Sequence, residues 1–108
     1  MDYQDIIFQI IVNGGDAKSY AMQAIKQAKA GSIDEAKKSL KSCSESLEKA
    51  HNMQTGLIQE EAAGNAQEVT LLMVHAQDHF MNAMTVRDLA QEFIDMYQSI
   101  ADIKKLLK

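Results

Sequence analysis

No proline occurs among the 108 residues, and glycine occurs only five times. Proline removes a backbone donor and clashes with the preceding turn, and glycine raises the entropic cost of ordering a helix. With so few breakers, helices of unusual length are permitted. Cysteine is almost as scarce: Cys43 is alone, so no internal disulfide can form, which fits a cytoplasmic location. Positive charge is in short supply too. Eleven Lys and Arg against fifteen Asp and Glu leave a net charge of −4, with no basic cluster interleaved with aromatics. Phosphate neutralisation needs such a cluster, so nucleic acid is excluded as a partner. The apolar runs are too short to cross a bilayer and no signal peptide opens the chain, so direct membrane insertion is not expected. Glycine-rich phosphate loops, nucleophile elbows and dinucleotide fingerprints are missing as well.

What is present is apolar residues at helical spacing. From Ile33 they run Ala36, Leu40, Cys43, Leu47, Ala50, Gln54, Leu57, in alternating threes and fours. From Leu72 they run Ala76, His79, Ala83, Val86, Ala90, Phe93, Tyr97, Ile100. An earlier, looser series is Tyr3, Ile6, Ile10, Asn13, Ala17, Ala21, Ala24, Ala28. Such spacing marks helix faces that pack on one another. Gly31-Ser32 separates the first two segments, and Ser32 with Glu35 reads as a capping box opening the second. Gly64-Asn65 closes that segment, and the third begins soon after. Gly14-Gly15 interrupts the first as a kink, a bulge or a break. Short turns between long helices force antiparallel neighbours. The expected fold is an all-α antiparallel three-helix bundle forming one domain over residues 1–108. Helices of about 28–38 residues would make a rod about 45–55 Å long.

The segment Leu71-Leu-Met-Val-His75-Ala-Gln-Asp78-His79-Phe-Met81 is apolar on every side of a helix, the pattern of a buried one. A chain this short has one modest core, so much of that burial is expected to come from other subunits. A second stripe, Leu71, His75, Asp78, Asn82, Thr85 and Leu89, follows the same spacing beside the first. One stripe would face the intrachain core and the other a symmetric copy, which predicts a homo-oligomer with this second stripe, polar in its middle at Asp78, at its axis.

His75, Asp78 and His79 fall within about one helical turn, with His75 and His79 at i and i+4 on a shared face. Three readings of this cluster compete. A neutral imidazole carries a free lone pair that attacks phosphorus, which would make His75 a phosphate carrier. An i, i+4 histidine pair also suits a transition metal, although no Glu follows the first His as a general base and only His51 offers an outside ligand. Finally, the three side chains could be satisfied polar groups that fix the register of an interface. The residues alone leave carrier and register open. His51 reads as a partly buried surface residue and Cys43 as core. Met73, Met81, Met84 and Met96 read as adaptable packing.

The sequence also resembles a known family, the enzyme IIA component of the lactose/cellobiose class of the bacterial sugar phosphotransferase system. The matching text is Ile11-Val-Asn-Gly-Gly-Asp-Ala-Lys-Ser19, Ala50-His-Asn-Met-Gln-Thr55, Leu57-Ile-Gln-Glu-Glu-Ala62 and, most specifically, Val74-His-Ala-Gln-Asp-His-Phe-Met81. Phe80 stands where many members carry Leu, an apolar exchange that leaves the chemistry alone. The resemblance implies a homotrimer of three-helix subunits and a phosphocarrier, a transferase component. His75 would accept phosphate from phospho-HPr and pass it to a cysteine of enzyme IIB, for uptake of cellobiose, another β-glucoside or lactose. It implies that Asp78 lies at the threefold axis, where a structural Mg²⁺ can sit among three carboxylates. Gln77 and His79 would line the site. The rival from another class is a non-catalytic helical adaptor or metal-binding bundle whose histidines only fix assembly.

Overall fold

The computed structural model describes residues 2–107, which form α1 (Tyr3–Lys29), α2 (Ile33–Ala62) and α3 (Leu71–Leu106). The described residues include no strand. The helices are 27, 30 and 36 residues long, and short connections fold them antiparallel into a rod of 63 × 20 × 20 Å. The rod exceeds the expected length because the helices are staggered. From Ser99 onward nearly every residue of α3 is exposed, an overhang beyond the other two.

Local chemistry explains the boundaries. Asp2 caps α1 by accepting from the Asp5 N–H at 2.9 Å, and Thr70 caps α3 through the Met73 N–H at 3.1 Å. Both interhelical turns leave their helix by the same device. Gly31 and Gly64 adopt φ of 90° and 93°, a conformation that glycine enters without steric cost. The Ser32 N–H then donates to the Gln27 carbonyl and the Gly31 N–H to Ala28; Asn65 and Gly64 repeat this on Glu60 and Glu61. The expected capping box at Ser32 does not form. Its N–H closes α1, its side chain makes no capping bond to α2, and Glu35 turns to Lys38 at 3.4 Å instead. A Cβ at Gly31 would meet nothing within 4 Å, so Gly31→Ala tests the backbone term alone. Chemical denaturation should show a loss of about 1–2 kcal/mol.

α1 is the spine, packing along both other helices, whereas α2 and α3 meet over a shorter stretch. Its buried line is Ile7, Ile10, Asn13, Gly14, Ala17, Ala21, Ala24 and Ala28. Small side chains let the neighbouring backbones come close. Asn13 is satisfied within its own helix, donating to the Gln9 carbonyl at 2.9 Å. Gly14-Gly15 neither kinks nor breaks α1, which runs through both. The α2 line, Ile33, Ala36, Leu40, Cys43, Leu47 and Ala50, is buried as its spacing predicted. Burial pushes the Cys43 thiol up, opposed by the charge of Arg87, so the thiol stays protonated.

In α3 the buried line is Ala76, Phe80, Ala83, Ala90 and Ile94. The predicted line drifted off it, taking His79 in place of Phe80 and Phe93 in place of Ile94. The two lines share Ala76, Ala83 and Ala90 and differ only in whether a step of three or of four comes first between those points, an order that counting alone does not choose. The expectation of a segment buried on every face fails within one chain. Leu71, Val74 and Met81 are exposed, because α1 and α2 cover only one side of α3.

Candidate functional site

α3 carries the site on the side that the other helices leave uncovered. His75 is exposed and His79 half-buried, and one helical turn brings their rings together. The two Nε2 atoms lie 3.1 Å apart, with ring centroids at 4.4 Å and planes perpendicular. One Nε2 must donate its proton and the other must accept, because two N–H groups cannot face each other at that distance. The hydrogen bond thus places one shared proton between the two Nε2 atoms.

The other sequence candidates separate from this pair. Asp78 is exposed and accepts from Asn82 Nδ2 at 3.2 Å, so these two members of the second stripe pair with each other in the protomer. Gln77 faces away from the histidines: its Oε1 accepts from Gln54 Nε2 at 2.7 Å, which ties α3 to α2. The described residues contain no cluster of three His, Cys, Asp or Glu side chains able to hold a metal ion within one chain. A cation at Asp78 would therefore need carboxylates from further copies.

His51 lies exposed on α2 and stacks on Phe80, with ring centroids 6.2 Å apart. It opens onto a groove of about 620 Å³ between α2 and α3, floored by Leu47, Phe80, Met81 and Met84 and edged by Glu48 and Arg87. Sequence reasoning missed this groove, because it depends on how α2 and α3 splay. At the histidine end, Tyr3 fastens the α2–α3 loop by donating to the Glu68 carbonyl at 2.7 Å. Burial, with the Glu68 carboxylate second, raises the Tyr3 phenol pKa.

The second stripe extends further along α3 than its sequence pattern suggested. Leu89, Met96 and Ile103, spaced by sevens, are 53%, 49% and 56% exposed, and Phe93, Ile100 and Leu107 flank them, also uncovered. Together they form a long apolar face on α3 that the protomer leaves uncovered.

The fold and the site define an all-α three-helix bundle with a paired imidazole on an open helix face. Comparison with known proteins makes that class specific. The family description "PTS system, Lactose/Cellobiose specific IIA subunit" matches residues 5–98, and the chain belongs to this family. It is 55% identical over 101 residues to the lichenan-specific phosphotransferase enzyme IIA component of Bacillus subtilis strain 168, covering 94% of this chain and 92% of the relative. Among solved structures, the cellobiose-specific enzyme IIA of Bacillus anthracis superposes with a TM-score of 0.90 at 46% identity over 94% of each chain. The Escherichia coli IIA(Chitobiose) chain, solved in solution as a complex with HPr, superposes with a TM-score of 0.80 at 35% identity, over 94% of this chain and 98% of that one. The chain is thus a phosphotransfer component of the sugar phosphotransferase system, of the cellobiose type. Family membership decides against the non-catalytic adaptor and the metal-binding bundle.

Proposed function

We propose that His75 carries the phosphoryl group, accepting it from phospho-HPr and passing it to a cysteine of enzyme IIB. The observation that carries this reading is the 3.1 Å approach of the His75 and His79 Nε2 atoms on an exposed face of α3. A lone pair on the His75 ring attacks phosphorus as the phosphorus–nitrogen bond to the donor imidazole breaks, and its electrons return to the donor ring. The next step repeats this with a cysteine thiolate as nucleophile and His75 as leaving group. Each step exchanges one labile bond for another, so transfer stays reversible. The protein's part is positioning and charge stabilisation. His79 holds the His75 ring through the shared proton and, once the phosphoryl group displaces that contact, can donate to its oxygens. Gln77 acts one layer back, by bonding α3 to α2 through Gln54.

The working form is a homotrimer, with α3 stripes at a threefold axis. The long uncovered line through Leu89, Met96 and Ile103 supports this reading. Three Asp78 carboxylates around one axis repel unless protonated or bridged, and oxygen donors of this kind suit Mg²⁺ with retained waters. No helix of the described residues is long and apolar enough to cross a membrane, consistent with a cytoplasmic carrier that meets enzyme IIB at its surface. Relatives named for lichenan and cellobiose favour a β-glucoside as the sugar over lactose.

The test is intact-mass spectrometry after incubation with phosphoenolpyruvate, enzyme I and HPr. One acid-labile phosphate per chain, lost again on adding the cognate enzyme IIB, is expected. No added mass with active upstream enzymes would overturn the carrier reading.

A further inference from the structure

Gly14 presents an unexplained cost. Glycine inside a helix lowers its stability relative to alanine, and two in succession do so twice. Conformational freedom does not account for them, since α1 is an unbroken helix and the described glycines with positive φ are Gly31 and Gly64. One of them lies against α3, where a Cβ would just be admitted and a larger side chain would not. A Cβ at Gly14 would lie 3.4 Å from the carbonyl carbon of His79, 3.4 Å from the amide nitrogen of Phe80 and 3.5 Å from the Cβ of His79. The α1 backbone thus rests directly on α3 at the residue whose ring meets His75. A Cβ at Gly15 would meet nothing within 4 Å.

We propose that Gly14 is a positioning residue: it leaves the flank of His79 clear, so that the His79 ring can reach His75. The inference rests on the carrier reading for its bearing on transfer. α3 is pinned on either side of His79, by the Gln54–Gln77 bond at 2.7 Å and by the buried Phe80 ring. It therefore cannot roll to make room. A β-branched side chain at Gly14 would set its methyl carbons against the His79 backbone and Cβ. The softest response is rotation of the His79 side chain, and that breaks the 3.1 Å contact.

Gly14→Val and Gly15→Val change helix propensity alike, but only the first touches His79. The readout is the imidazole ¹⁵N spectrum of His75 and His79 in the unphosphorylated full chain, followed by the rate of phosphate acceptance at saturating phospho-HPr. Gly14→Val should lose the Nε2 signature of the shared proton and slow acceptance about tenfold or more, with helicity kept. Gly15→Val should leave both as in the wild type. A wild-type ring spectrum in Gly14→Val, an equal effect of Gly15→Val, or an altered spectrum with unchanged acceptance would each overturn the proposal. Should Gly14→Val fail to fold, Gly14→Ser against Gly15→Ser decides, since the serine Oγ stands one atom beyond the Cβ that α3 still admits. A displaced His79 nitrogen resonance in the first alone supports the proposal, and identical spectra overturn it. The ring spectrum needs no phosphate, so failure of the carrier reading and failure of this inference are distinguishable.

Discussion

His75→Ala should abolish phosphate acceptance while leaving the helical bundle intact. The side chain is exposed, with its ring set against His79, so its removal opens no cavity. Substitutions of this kind stay within about 0.5 kcal/mol of wild-type stability. The chemical loss has no such ceiling, because the nucleophile itself is gone. His79→Ala keeps the nucleophile and removes only the group that holds it. A positioned acid–base partner contributes on the order of 100-fold or more, so His79→Ala should slow acceptance while still permitting one phosphate. Intact mass and thermal unfolding on the same samples check both. Phosphate on His75→Ala would move the carrier position to another histidine and sink the assignment.

The second large effect lies on the uncovered stripe of α3. On the proposed trimer, Met96→Asp should convert three associated chains to one on light scattering and lower the unfolding temperature. At a threefold axis a single substitution places three carboxylates in apolar surroundings, and the effective penalty is several kcal/mol for each buried ion. Met96 is half exposed in the protomer, so the variant chain should retain its own fold. The sign reverses at Asp78. There the charges are already present, so Asp78→Leu should strengthen the trimer or leave it unchanged, and should abolish any bound Mg²⁺ detected by elemental analysis. An unchanged assembly in Met96→Asp would place the stripe away from any axis.

How far the sequence could be read depended on the scale of the interaction. The α2 core from Ile33 to Ala50 was legible because each residue needs only to face one neighbour along a short arc. In α3 the same procedure slipped at Phe80 and Ile94 yet held at Ala76, Ala83 and Ala90, because counting gives the repeat of seven but not which of the two intervening residues turns inward. The histidine pair was legible, since i, i+4 spacing is contact by construction. Ser32 was misread because its amide serves the end of α1, and competition between two helices for one residue has no signal in the local pattern. The partner of Gln77 and the seat of His79 on Gly14 were invisible for a related reason. Both depend on which backbones approach most closely, and a glycine pair alone does not say which of its two members makes the contact.

The open placement of the histidine pair has a consequence in time. No wall of the protomer closes over His75, so water reaches that ring as freely as a docking protein does. On the proposed carrier reading, phosphate on His75 is held against a clock set by the intrinsic hydrolysis of phosphoimidazole. Such a chain works only where encounters with its acceptor come faster than that clock runs. Its effectiveness is then governed by how much acceptor stands at the membrane nearby, and the concentrations of the two proteins become part of the design.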